Sequence, residues 1–147
     1  PMHKPLRGTA PNSVLPNNAL AIWPYTSLAD PRFSIEESHL SLTQDADNRD
    51  LFKLGLSIPE GWAAYVNGSH AFVKRYDYHA DAVYPDYHSS FEMFCCERYL
   101  EFETLSPMAV MKPGAVLHHA EEWYLLNQIP TDIGYEALAD LVRKILE

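Results

Sequence analysis

The chain has 147 residues, of which 47% are hydrophobic and 21% are charged, so it is long and apolar enough for one folded domain. Its 20 acidic and 11 basic residues give a formal net charge of −9, which would repel the phosphate backbone of a nucleic acid. Its apolar runs are far shorter than the ~20 residues that a membrane-spanning helix needs. We therefore expect neither nucleic acid nor membrane among its partners.

The amino-terminal third predicts an irregular segment followed by short strands. Residues 1–18 are rich in Pro, Gly, Ser and Asn and show no periodicity, which is typical of a linker. An apolar run over 19–26 is interrupted by Pro24, as in an edge strand. Alternating apolar and polar residues predict two further strands, over 38–45 and 53–58.

A β-hairpin is the clearest local prediction. Two apolar runs, 62–66 and 70–76, flank Asn67-Gly68-Ser69. Asn-Gly between apolar runs favours a tight turn, because both residues tolerate positive φ.

The following residues predict more strands joined by short turns. A loop rich in Asp, His, Tyr and Pro covers 79–89, and strands are expected over 90–96, 99–104, 108–111 and 116–126. Turns that recur every ~8–12 residues favour a sandwich over a parallel α/β sheet. The predicted fold is therefore an all-β, antiparallel β-sandwich.

The carboxy-terminal tail predicts one α-helix. After Pro130, Thr131 or Asp132 can cap a helix with an apolar stripe on one side. We accordingly divide the chain into the irregular segment 1–18, a sandwich domain over 19–130 and a helix over 131–147. Such a helix covers a sheet or makes a subunit contact.

The two cysteines indicate free thiols. Cys95 and Cys96 are adjacent, so in a strand they point to opposite faces, which disfavours a disulfide between them. We expect one to be buried and the other more exposed. Free thiols fit a reducing compartment, which favours a cytoplasmic location.

No metal or other cofactor is expected. His79, Asp81, Asp86 and His88 share one loop and could bind a metal, but their spacing fits no zinc pattern. Loops also collect such residues for solubility.

Several segments, taken together, resemble a known fold family. They are Leu100-Glu101-Phe102-Glu103-Thr104-Leu105-Ser106-Pro107, Met111-Lys112-Pro113-Gly114 and His118-His119-Ala120-Glu121-Glu122-Trp123-Tyr124. They resemble the closing strands of aldose 1-epimerases, of the galactose-mutarotase-like superfamily. The similarity is closer to a bacterial group with the same β-supersandwich, the domain-of-unknown-function 4380 proteins. Four further segments of this chain resemble that group. They are Trp23-Pro24-Tyr25-Thr26, Asp30-Pro31-Arg32, Gly61-Trp62-Ala63-Ala64-Tyr65-Val66-Asn67 and Phe72-Val73-Lys74-Arg75.

The resemblance spans roughly residues 19–127 and implies that this chain corresponds to the carboxy-terminal half of the family domain. It also implies a carbohydrate ligand and a general base, Glu103, which would take the proton of the anomeric hydroxyl. In epimerases the acid that protonates the ring oxygen is a histidine of the amino-terminal half. Another segment or subunit would have to supply that acid here.

Two further glutamates are candidates for the same site. The sequence Leu-Glu-Phe-Glu departs from the epimerase pattern and puts Glu101 on the same strand face as Glu103, where repulsion could raise one pKa. Glu92 lies on the preceding strand and could approach Glu103 if the two strands pair, which formally allows glycosidase chemistry. The alternative is that these carboxylates simply face water.

Other substrate-binding candidates have equally plain alternatives. Trp62 could stack on a sugar ring, Lys74 or Arg75 could hold a hydroxyl, and His118 could point toward Glu103. Core packing and ordinary surface charge would explain the same residues.

Two classes of function therefore stay open: a mutarotase-like enzyme domain, and a non-catalytic sugar-binding or structural module. A fold shared with enzymes does not by itself transfer their activity. If the chain is half of a supersandwich, unpaired strand edges and uncovered apolar surface predict self-association or a missing partner segment.

Overall fold

A computed structural model describes residues 2–3 and 19–147, with side chains from residue 19 onward. Two short strands open this part of the chain and a long helix closes it. The elements are β1 (Met2–His3), β2 (Leu20–Ile22), β3 (Phe33–Ile35), β4 (His39–Leu42), β5 (Phe52–Leu56), β6 (Trp62–Asn67), β7 (His70–Tyr76), α1 (Pro85–His88), β8 (Phe91–Cys95), β9 (Leu100–Thr104), β10 (Glu121–Asn127) and α2 (Tyr135–Leu146).

The strands form two antiparallel sheets. One has six strands in the order β10-β7-β6-β1-β4-β3, and the other has four in the order β2-β5-β8-β9. This arrangement confirms the predicted all-β, antiparallel, sandwich-like fold with a carboxy-terminal helix.

The core has two layers of apolar side chains. One lies between the sheets, where Phe52, Leu54 and Phe91 of the smaller sheet meet the larger sheet. The other lies between the larger sheet and α2, whose Leu138 and Val142 are fully buried. The six-stranded sheet is thus covered on both faces, whereas the smaller sheet has one face turned away from the core.

The predicted hairpin is present as β6 and β7, but its turn residues differ from the expectation. Asn67 pairs directly with His70, so Gly68 and Ser69 form the two-residue turn. Gly68 has φ +56, whereas Asn67 keeps a negative φ and remains in the strand. Glycine alone supplies the positive φ that the turn requires.

The strands predicted around the Lys-Pro-Gly turn are partly wrong. Residues 108–111 form no strand, and the strand expected over 116–126 covers only Glu121–Asn127. Its seven residues pair one to one with the seven residues of β7. Residues before Glu121 have no opposite strand there, so their backbone cannot continue the ladder.

The helix begins later than predicted. Gly134 is the residue that precedes the first helical turn, and neither Thr131 nor Asp132 caps it. Ile133 instead donates its backbone N–H to the carbonyl of Pro130, which closes a turn ahead of the helix. Arg143 and Lys144 lie in the last turn, where they complement the helix dipole.

Within the segment predicted to be irregular, Met2 and His3 form a short strand between β4 and β6. The prediction for the rest of 1–18 falls outside the described residues.

Both cysteines are free thiols, as predicted, but both are buried, because Cys95 points into the core and Cys96 lies beneath the chain that follows it. Over the described residues, no helix is long and apolar enough to span a bilayer.

Candidate functional site

Strand register brings three of the predicted glutamates together on the outer face of the four-stranded sheet. Glu92 of β8 lies directly opposite Glu103 of β9, and Glu101 lies opposite Phe94. Lys53 of β5 is opposite Phe94 on the other side, so it shares this face. Side chains directly opposite in a sheet point the same way, and their neighbours in sequence point into the core.

Lys53 stands at the centre of this group. Its Nζ lies 2.7 Å from Glu92 Oε2 and 3.1 Å from Glu103 Oε2. Because both oxygens contact one nitrogen, they are no more than about 6 Å apart. We call Lys53, Asp86, Glu92, Glu101 and Glu103 the carboxylate cluster.

The pKa of Glu101 is raised above the ordinary value of a glutamate, whereas the pKa of Glu103 is lowered below it. The hydrogen bond that protonated Glu101 donates to Glu103, together with partial burial, raises the pKa of Glu101. Burial would raise the pKa of Glu103, but its hydrogen bonds with Glu101 and Lys53 outweigh burial and lower it. Glu103 is therefore the more readily ionised member of the pair, and Glu101 is the more readily protonated one.

Glu92 is the buried member of the cluster, with only 3% of its surface exposed. Burial raises its pKa against the opposing effect of Lys53, and the neighbouring carboxyl of Asp86 raises it further. Its Oε1 atom receives no hydrogen bond from the described part of the chain.

Asp86 reaches the cluster from a strained turn. Asp86, Tyr87 and His88 have φ values of 46, 58 and 71, so the end of α1 is left-handed. The left-handed conformation costs a non-glycine residue about 1–2 kcal/mol. Ser89 helps to hold the turn, donating its hydroxyl to the carbonyl of Asp86 at 2.6 Å.

Two aromatic residues flank the cluster. The Nζ of Lys53 lies 5.1 Å from the ring centre of Trp23, and Tyr25 is exposed nearby. Burial and the three glutamates raise the pKa of Tyr25, against the lowering effect of Lys53. Tyr25 also borders a concavity of about 440 Å³ with Asp30 and Asp50. Aromatic rings therefore lie beside ionisable carboxyl groups at this edge of the cluster.

The other predicted site residues lie elsewhere. Trp62 is 3% exposed in the core beneath α2, so it cannot stack on a surface ligand. Lys74 contacts the carbonyl of Phe102 and Glu121, on the opposite face of β9 from Glu103. Arg75 pairs at the surface with a glutamate of β10. His118 is exposed in the segment before β10, not on a strand as predicted.

His119 contacts β9, but it does not contact Glu103 there. Its Nε2 lies 2.8 Å from Thr104 Oγ1, which points to the core side of the strand. Thr104 also contacts Glu121, whose Oε2 accepts a hydrogen bond from Trp123. The groups that act most strongly on Glu103 are two glutamates and Lys53, not a histidine.

Sequence reasoning missed Lys53, Trp23 and Tyr25. Lys53 opens the alternating run over 53–58, and its position out of phase with Leu54 and Leu56 already placed it on the outer face.

Among the described residues, no three His, Cys, Asp or Glu side chains are arranged to hold a metal ion.

Comparison with family models, with curated proteins and with solved structures finds no match to this chain.

Proposed function

We propose that the carboxylate cluster binds a carbohydrate and that Glu103 acts as a general base in a mutarotase-like reaction. The observation that supports this proposal is that the ammonium of Lys53 lies 3.1 Å from Glu103, which favours its ionised form, while Glu103 raises the pKa of Glu101 beside it. Adjacent titratable groups whose pKa values are pushed apart are the usual pattern of an acid–base pair.

In this proposal Glu103 accepts the proton of the anomeric hydroxyl while protonated Glu101 gives its proton to the ring oxygen. The C1–O5 bond then breaks, the C1–O1 bond becomes a carbonyl, and an open-chain aldehyde forms. Reclosure on the other carbonyl face reverses both proton transfers and yields the other anomer. Glu101 thereby takes the part that a histidine plays in the epimerases that the sequence resembles.

Lys53 and Glu92 have supporting roles. Lys53 keeps Glu103 ionised, and the buried carboxyl of Glu92 fixes the position of Lys53 from below. Tyr25 provides an exposed aromatic ring face against which the C–H face of a sugar can pack, and the ring of Trp23 packs against Lys53.

A non-catalytic sugar-binding module is the second candidate. The observation that favours it is that Lys53 and Glu101 already engage the carboxylate of Glu103, which leaves fewer of its lone pairs for a substrate. In that case the cluster would hold sugar hydroxyls without exchanging their protons.

Proton NMR that measures the rate of exchange between the two anomers of each aldose in a panel separates these candidates. Anomeric interconversion above the buffer rate should fall by about 10²–10⁴-fold in Glu103→Gln and in Glu101→Gln, the contribution expected of general acid–base catalysis. Glu60→Gln, at an exposed turn, is the matched control and should retain the full rate.

Saturation-transfer NMR on the same samples reports binding. Binding without exchange would support the non-catalytic module, and exchange that persists in Glu103→Gln would remove that residue from the mechanism. Neither binding nor exchange with any sugar would refute the carbohydrate proposal.

A further inference from the structure

Strand β10 forms one edge of the six-stranded sheet. Within the described chain its strand partner is β7, and its other edge carries backbone N–H and C=O groups without a strand beside them. An exposed edge seven residues long is a template for pairing with another chain.

The side chains of this edge are unusually apolar for a surface. Trp123 is 66% exposed and Leu125 is 78% exposed, and both point to the face that the four-stranded sheet covers farther in. β9 is the last strand of its sheet: its Phe102 packs against Phe72 and its Thr104 contacts Glu121 at the start of β10, whereas Trp123 and Leu125 farther along β10 remain exposed. Beyond Glu121, the apolar side chains on this face of β10 thus extend past the partner sheet.

The sequence of β10 is complementary to itself. If two copies pair antiparallel about Tyr124, all seven residues find a partner, and Trp123 of each copy lies opposite Leu125 of the other. Glu121 then faces Asn127 and Glu122 faces Leu126, so no two carboxylates are opposed.

The β9 edge of the smaller sheet lacks this property. Pairing two copies of β9 about Phe102 would set Glu101 against Glu103 of the second copy, and like charges directly opposite are destabilising. Charge therefore favours β10 over β9 as the edge that meets a copy.

We propose that two copies of this chain associate through β10, joining their six-stranded sheets into one continuous sheet with two-fold symmetry. A groove of about 260 Å³ lies at this edge, lined by Tyr65, Phe72 and Leu125. The register places Trp123 of the second copy beside Leu125, where its indole covers the groove. The contact is isologous, so it closes at two copies instead of growing into a fibre.

Analytical ultracentrifugation over a concentration series tests the association. The wild type should shift from monomer to dimer, and Leu125→Lys should weaken the dimer by at least about 10-fold, because it puts a charge where an apolar contact forms. Val110→Lys is the matched control, since Val110 is 98% exposed but lies outside β10. A monomer at every concentration, or equal effects of the two lysines, would overturn the proposal.

A cross-linking pair tests the register. Residue 124 meets itself at the two-fold axis, and directly opposite residues in antiparallel strands lie about 4.5–5.5 Å apart, within disulfide reach. Tyr124→Cys should therefore give a covalent dimer in mild oxidant, whereas Glu122→Cys, which meets Leu126, should not. Equal cross-linking of both variants, or of neither, would contradict this register.

Discussion

Replacing Lys53 with methionine should destabilise the protein chiefly through Glu92. Methionine keeps the apolar stem of lysine but removes the ammonium that lies 2.7 Å from Glu92 Oε2. Because Glu92 is buried, its charge would then have neither water nor a cation nearby. Breaking a buried ion pair by removing one partner costs about 3–5 kcal/mol, and we expect Lys53→Met to lose that much free energy of unfolding near pH 8.

The loss should depend on pH with a definite sign. Burial already raises the pKa of Glu92 in the folded protein, and Lys53 opposes that rise, so the variant raises this pKa further. A folded-state pKa above the unfolded value means that stability falls as pH rises through it and recovers on acidification. The deficit of Lys53→Met should therefore shrink as pH is lowered, by up to about 1.4 kcal/mol per pH unit while Glu92 titrates.

Glu103 contributes in the same direction. Lys53 helps to lower its pKa, which stabilises the folded state above the ordinary pKa of a glutamate and ceases to do so as pH falls. Losing Lys53 removes that contribution at neutral pH and changes little in acid.

Urea unfolding followed by tryptophan fluorescence, from about pH 5 to about pH 8, measures these differences. The double variant Lys53→Met/Glu92→Gln should recover much of the lost stability, because the buried and unpaired carboxylate charge of Glu92 is then removed. Lys144→Met, on the exposed side of α2, should change stability by less than about 0.5 kcal/mol. A deficit that is constant with pH, or undiminished in the double variant, would refute this reasoning.

Three further substitutions test the fold. Asp30→Asn should lower the free energy of unfolding by about 3–5 kcal/mol at neutral pH and by less in acid. The reason is that the hydrogen bond and charge of buried Arg32 hold the pKa of Asp30 below its usual range. Urea unfolding at several pH values checks this. Gly61→Ala should destabilise more than Gly114→Ala in thermal unfolding: both have positive φ, but only at Gly61 would a Cβ collide with a backbone carbonyl oxygen. Phe52→Ala should lose about 3–5 kcal/mol in urea unfolding because its ring is fully buried, and a loss under about 1 kcal/mol would contradict its place in the core.

Alternating apolar and polar residues and turn residues predicted most strands well where the strand's own sequence carries that pattern. The hairpin of β6 and β7 and the alternation in β5 follow from neighbouring residues, since side chains alternate faces along any strand. The pattern failed where a strand depends on its partner. The length of β10 is set by β7, and β3, which was not predicted, is a strand because it pairs with β4.

The same division applies to the candidate site. That Glu101 and Glu103 share a face was predictable from their spacing on one strand. The contact of Glu92 with Lys53 was not, because it depends on the register of separate strands across the sheet.

Burial decided the aromatic candidates. Trp62 and Trp23 both lie in or beside apolar strand-like runs of the sequence, yet one is buried beneath α2 and the other flanks Lys53. The sequence by itself determined which residues alternate and where the chain can turn, because those properties depend on nearest neighbours. Only the tertiary structure decided which faces are covered, because cover is supplied by elements distant in the chain.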